Sequence, residues 1–296
     1  MKLQGAYVAL VTPFKNQDVD EAAVRDLCEF VIAQGIDGIV PAGCTGEAAT
    51  LTHDEQKKLI KLVVETVNKR VPVIAGTGSN NTKESLELTK YAKDAGADAA
   101  MLITPYYNKP TPQGQIRHYE TVAKAVDIPI ILYNVPGRTG ICMTPQTIAE
   151  LAKIDNIVAI KEASGSLDQV SQIRSLCDIT VLSGDDSLTL PMMAIGATGV
   201  ISVVGNIVPK KVSQLVKAFA NGQLAEAQKI HYELVPLCKA MFMETNPLPV
   251  KTSLNMMGKI EAEFRLPICE MRPENLPKLE KALKESGVLS TSGVPL

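Results

Sequence analysis

The chain contains no tryptophan, only three histidines, and aromatic residues at 4% of its 296 positions. So few rings leave little material for the stacking platforms that hold single-stranded nucleic acid. Basic residues (30) do not outnumber acidic ones (32), and no basic cluster appears, so a nucleic-acid footprint is also missing. No stretch approaches the roughly 20 apolar residues a membrane span requires. The six cysteines, Cys28, Cys44, Cys142, Cys177, Cys238 and Cys269, include no C-x-x-C pair. His53, His118 and His231 all fall in helical segments, away from any metal-ligand spacing. Scattered thiols in a long chain fit a reducing compartment. The opening MKLQGAYVALVTPF is broken by Pro13 before a signal-peptide core develops. These features together predict a cytoplasmic protein that is not bound to membranes.

Apolar residues at 46% and charged residues at 21% match ordinary globular usage. The length allows two domains or one α/β barrel of about 250 residues with an appendage. Short apolar runs alternate with amphipathic ones. The spacing predicts strands over Tyr7–Thr12, Gly38–Ala42, Val71–Ala75, Ala99–Thr104, Ile128–Asn134, Ile157–Lys161, Ile179–Leu182 and Thr198–Val204. Several, such as IPIILYNV, are continuously apolar, as parallel strands buried on both faces are. Between them lie helix signals: Thr52 and Glu55 as a capping box, Asn81 or Thr82 as a start with a stop at Gly96, and Thr144 before Pro145. Eight such repeats favour a (β/α)8 TIM barrel over an open doubly wound sheet. We expect the barrel over residues 1–222 and a C-terminal helical extension over 223–296, with helices from Gln223, Asn246 and Pro273 and a loosely held polar tail.

Active sites of such barrels gather at the C-terminal ends of the strands, and several of these ends carry chemistry. The second ends in PAGCTGEA, a glycine-flanked turn around Cys44 and Thr45 that suits a carboxylate or phosphate, or is a tight turn and nothing more. The fourth ends in Tyr106 and Tyr107, suited to the reaction or to packing at the barrel rim or a partner. The fifth carries Tyr133 and Arg138, a proton donor and a fork for a carboxylate, although Arg138 also reads as a surface arginine. The sixth ends in Lys161 after four apolar residues. Burial there would lower its pKa and make it a Schiff-base nucleophile; the plainer alternative is an ion pair with Glu162 or Asp185. Asp185 and Asp186 read as a metal pair or, equally, as a strand-end turn.

The segments GCTGE (43–47), YYNKP (106–110), YNVPGRT (133–139), IKEASG (160–165), SGDD (183–186) and ETNPLPVK (244–251) together resemble the pyruvate-dependent class I aldolase (N-acetylneuraminate lyase) family. The likeness covers nearly the whole chain. YNVPGRT with Arg138, and NKPT after Tyr107, point within it to the dihydrodipicolinate synthase branch. The resemblance implies a lyase that condenses pyruvate with L-aspartate 4-semialdehyde, for lysine and diaminopimelate synthesis, with no cofactor and no metal. It implies a Schiff base on Lys161 and proton transfer through Tyr133. Thr45 and the backbone of Gly43–Gly46 would hold the pyruvate carboxylate, with Gly184 and Ile201 lining the pocket. Arg138 would meet the aldehyde's carboxylate. Tyr107 would reach a neighbouring subunit's site within a homotetramer. Cys44 stands where the family has Thr or Ser, so a relay through it would use a weaker thiol hydrogen bond, unless it is merely a tolerated small residue. In feedback-sensitive relatives, L-lysine binds positions matching Ala49, His53, Asn80, Glu84 and Tyr106; here Ala48 replaces a serine and Gln56 a histidine. Two alternatives stand beside this reading: a lyase for another 2-keto acid, which Arg138 disfavours, and a non-catalytic regulator, which the retained Lys161, Tyr133 and Thr45 disfavour.

Overall fold

The computed structural model describes residues 3–290 and 292–295. Eight parallel strands form one sheet: β1 (Gly5–Ala9), β2 (Gly38–Val40), β3 (Ile74–Gly76), β4 (Ala99–Ile103), β5 (Ile130–Asn134), β6 (Ile157–Glu162), β7 (Thr180–Ser183) and β8 (Gly199–Ser202). Each pairs with its neighbours in sequence, and β1 pairs with β8. A parallel bridge between Ile39 and Val73 joins β2 to β3 and completes the circle. The open-sheet alternative is thereby excluded. Every strand expected from the sequence overlaps an observed one, although the first (Tyr7–Thr12) forms earlier, over Gly5–Ala9, and the third (Val71–Ala75) later, over Ile74–Gly76.

Alternation along the strands builds two apolar layers. One residue parity (Val8, Ile39, Ala75, Leu102, Leu132, Ile160, Val181, Val200) packs outward under the helices. The other (Tyr7, Ala9, Val40, Ile74, Met101, Ile131, Tyr133, Ala159, Leu182, Ile201) fills the barrel. Both faces of each strand are therefore buried, which is why the strands read as continuous apolar runs rather than alternating ones.

The covering helices are α1 (Glu21–Ala33), α2 (His53–Val67), α3 (Thr82–Asp94), α4 (Pro112–Ala125), α5 (Pro145–Leu151), α6 (Leu167–Leu176), α7 (Thr189–Ala194) and α8 (Pro209–Ala220). Their starts obey local chemistry. Thr52 accepts from Glu55 N–H at 3.2 Å, and the Glu55 carboxylate accepts from Thr52 N–H at 2.8 Å. Asn81 caps α3, and Thr144 caps α5 with Pro145 at its first position. Three more helices follow: α9 (Leu224–Ala240), α10 (Leu248–Met256) and α11 (Leu276–Glu285). The tail departs from expectation over its first residues. Val288 and Leu289 are buried, and Leu289 bridges Pro295. Their apolar side chains dock on the core, so the polar composition around them is a poor guide to their placement.

Candidate active site

Lys161 shares the parity of Ala159, so its side chain enters the barrel instead of lying under the helices. It is only 4% exposed. Its strand partner is Tyr133, directly opposite on β5, and the Lys161 amine sits 4.3 Å from the centre of the Tyr133 ring. Burial lowers the Lys161 pKa from the ordinary 10.5 to about 8, the nearby Cys44 and Asp186 opposing this and Arg138 adding to it. Both ion-pair alternatives for Lys161 fail. Glu162, of opposite parity, faces outward and accepts from Asn134 Nδ2 at 3.0 Å, Gln169 Nε2 at 3.2 Å and Ser164 N–H at 2.7 Å. Asp185 caps its own turn, accepting from Ser187. Room for the lysine stem comes from Gly184. A Cβ there would stand 3.1 Å from Lys161 Cγ and Cε and 2.7 Å from Ala163 Cβ.

Tyr133 is buried, and that burial pushes its phenol well above the usual range, with the Cys44 thiol beside it acting in the same direction and Arg138 opposing. The phenol is therefore protonated near neutrality, a donor first and a base only when a relay removes its proton. Arg138 sits on a short helical turn, Pro136–Thr139, that follows β5. Its guanidinium donates to the Asn246 carbonyl at 2.8 Å. Asn246 Nδ2 in turn donates to Thr45 Oγ1 at 2.9 Å. The structure thus brings Lys161, Tyr133, Cys44, Thr45, Arg138, Gly184 and Ile201 to one end of the barrel. Tyr107 is apart, 88% exposed and with positive φ.

A cavity of about 350 Å³ opens over this end, lined by Gly43, Cys44, Glu47, Met101, Tyr133, Arg138 and Asn246 among others. Lys161, Thr45, Gly184 and Ile201 are not among its lining residues; Lys161 reaches it through Tyr133, and Thr45 through Asn246. The same cavity runs on past Ala48, Ala49, His53, Gln56, Glu84 and Tyr106. His53 Nε2 lies 3.8 Å from the Glu84 carboxylate, which also accepts from Ser79 at 2.6 Å and Asn81 at 3.1 Å. Asn80 donates to the Tyr106 carbonyl at 3.2 Å. Gln56 is tied to the Gly76 carbonyl at 2.9 Å.

Four further residues shape this region; sequence reasoning assigned no role to three of them and read Asp186 only as half of a metal pair or as part of a strand-end turn. Asp186 is buried and accepts from Ser202 Oγ and from the N–H groups of Val203 and Val204, at 2.9 and 3.0 Å, so it ties the ends of β7 and β8 together. Among the described residues no cluster suited to a metal includes it. Asn246 joins the Thr45 turn to Arg138; in the sequence it stood only as a helix start within ETNPLPVK. Glu47 and Lys251 form a buried ion pair at 2.6 Å. Each lay inside a quoted motif, with nothing local to pair them.

The dihydrodipicolinate synthetase family matches residues 2–286. The chain belongs to that family. It is accordingly an enzyme of the lyase class. Among its relatives in the family, the 4-hydroxy-tetrahydrodipicolinate synthase of Syntrophobacter fumaroxidans is 56% identical over 97% of this chain and 99% of its own length. That of Geobacter sulfurreducens is 57% identical over 95% and 98%. Solved structures of the family superpose closely. The chloride-inhibited dihydrodipicolinate synthase from Acinetobacter baumannii, complexed with pyruvate, has a TM-score of 0.95 at 44% identity, covering 97% of this chain and all of its own. The Cyanidioschyzon merolae synthase, with lysine bound, has a TM-score of 0.94 at 39% identity, covering 97% and 99%.

Proposed function

We propose that the protein condenses pyruvate with L-aspartate 4-semialdehyde to give 4-hydroxy-tetrahydrodipicolinate, a step toward lysine and diaminopimelate. The observation that carries this reading is the buried Lys161 amine facing Tyr133 across adjacent strands. A pKa near 8 leaves part of the amine neutral at physiological pH. The neutral amine adds to the keto carbon of pyruvate, and loss of water gives an imine. The imine withdraws electrons from the methyl group, so a proton leaves and an enamine forms; its carbon then attacks the aldehyde, and the second substrate's own amine displaces Lys161 from the imine carbon, which closes the ring and frees the lysine. Tyr133 supplies and recovers the protons. Thr45 and the Gly43–Gly46 backbone hold the keto-acid carboxylate, with Gly184 and Ile201 shaping the pocket, and Arg138 takes the aldehyde's carboxylate as a charge-assisted fork. Cys44 and a neighbouring subunit's Tyr107 complete the relay, which makes the working enzyme an oligomer, a tetramer by the family pattern. L-lysine is an inhibitor at Ala49, His53, Asn80, Glu84 and Tyr106. We place the enzyme in the cytoplasm, as the scattered thiols suggest; no helix among the described residues is long and apolar enough to cross a membrane.

The test is reductive trapping followed by a substrate panel. Pyruvate with borohydride should add one reduced pyruvate, located on Lys161 by mass spectrometry. Turnover should require L-aspartate 4-semialdehyde and not sugar-acid aldehydes. A label on another lysine, or turnover only with sugar-derived substrates, would overturn the assignment.

A further inference from the structure

One downstream segment grips the turn after β2 from two sides. At the front, Asn246 Nδ2 donates to Thr45 Oγ1. Five residues later, on α10, Lys251 Nζ donates to Glu47 Oε1 at 2.6 Å. Both side chains of this second pair are shut off from solvent, at 0% and 1% exposure. The Lys251 ammonium also lies over the rings of Phe14, at 4.3 Å, and Phe264, at 5.1 Å. Ion pairs this deep add little stability compared with apolar residues of the same volume, because both charges lose their hydration. Stability alone is a weak reason for this one.

Geometry supplies a better reason. Glu47 is held at φ 53°, ψ 36°, a left-handed conformation that costs a non-glycine residue energy. It is the hinge between the Cys44–Thr45 turn and the helical turn leading to α2. Its N–H donates to the Cys44 carbonyl at 3.1 Å, and its own carbonyl accepts from Thr50 N–H at 3.0 Å and Thr50 Oγ1 at 3.1 Å. Anchoring the Glu47 side chain therefore sets the direction in which Thr45 and the neighbouring amides point.

We infer that Glu47 and Lys251 are positioning residues for the keto-acid carboxylate site: the buried pair locks the strained hinge so that the Gly43–Gly46 amides and Thr45 converge on one carboxylate. The inference rests on the reading of that turn given above. The proposed reaction gives neither residue a proton or a bond to move, so the pair acts through orientation, where small misplacements carry large penalties.

The test uses the full-length enzyme. Removing one partner leaves a lone buried charge and threatens the fold. The informative variant is therefore the double Glu47→Gln/Lys251→Met, which keeps volume without charge. Glu47→Asp is the second variant; it keeps the charge but withdraws the carboxylate by one methylene. With thermal unfolding recorded in parallel, KM for pyruvate should rise roughly 10- to 100-fold in the double variant and less in Glu47→Asp. KM for the aldehyde should stay within about twofold, because only one half-site is disturbed. Borohydride trapping at saturating pyruvate should still label Lys161. A folded variant of either kind with the parent's KM for pyruvate would overturn the positioning role. So would an equal loss for both substrates, which marks a general structural defect. Failure of the parent enzyme to label at Lys161 would instead indict the site assignment, so the two failures are distinguishable.

Discussion

The behaviour of Lys161 follows from the side of the strand on which it falls. Shifted by one position it would lie under the helices with Glu162, among groups able to satisfy its charge. Inside the barrel it has an aromatic ring, a thiol and one carboxylate, too little to offset its burial, and its ammonium form is disfavoured. The rate of imine formation should therefore follow deprotonation of this amine. We predict that kcat/KM for pyruvate climbs with pH through a half-maximum at about 8 and levels off roughly a unit higher, since that ratio reports the free enzyme. A profile flat between pH 6.5 and 9 would contradict the assignment. The same shift has a stability counterpart with a definite sign. Between about 8 and 10.5 the unfolded chain binds a proton at this lysine that the folded chain does not. Stability toward unfolding therefore rises with pH across that window.

At the level of elements, strand ends and helix starts converge on a single cavity. The start of α2 brings His53, and the start of α3 brings Glu84, to within 3.8 Å of one another. Glu84 serves its own helix too, as a first-turn acid favoured by the dipole. Its exposure to the cavity is what a helix-terminus role alone leaves unexplained. If L-lysine binds there, its ammonium pairs with Glu84, while Asn80 and Tyr106 serve its carboxylate. Because Ala48 and Gln56 lack the polar groups of sensitive relatives, affinity should fall by about 1 kcal/mol per missing neutral hydrogen bond. The prediction is inhibition by millimolar L-lysine at saturating pyruvate, relieved in Glu84→Ala. Equal inhibition of both proteins, or of neither, would remove lysine from this part of the cavity. Since the cavity also reaches Tyr133 and Arg138, a ligand held by Glu84 would share one cavity with them.

For the whole molecule, the outlier is Tyr107. Tyr107 stands 88% exposed at φ 68°, an unusual place for a large aromatic side chain within one chain. A two-fold assembly resolves this, because each copy offers the other the same surface. The prediction is subunit complementation. Tyr107→Phe and Lys161→Ala proteins, each nearly inactive, should regain activity when mixed and reassembled, since a hybrid dimer contains one complete site. Verified hybrids with no activity would confine each site to one chain.

The sequence by itself determined where the strands fall and where α2, α3 and α5 start, and it favoured a barrel without excluding an open sheet, because apolar runs and caps are local chemistry while closure is not. A doubly buried strand must be apolar throughout, a capping box needs only four consecutive residues, and a lysine ending such a strand stands out against it. Whether Lys161 pairs with Glu162 or Asp185 was not a local question, and only its parity in the closed sheet showed that it pairs with neither. The tertiary structure alone also decided what holds the site's turn in place. Asn246 meets Thr45 across 201 positions and Lys251 meets Glu47 across 204. No periodicity or propensity spans such a gap. A hydrogen bond between two polar residues leaves no mark on the sequence around either, and it exists only because closing the barrel brings the segment before α10 against the end of β2.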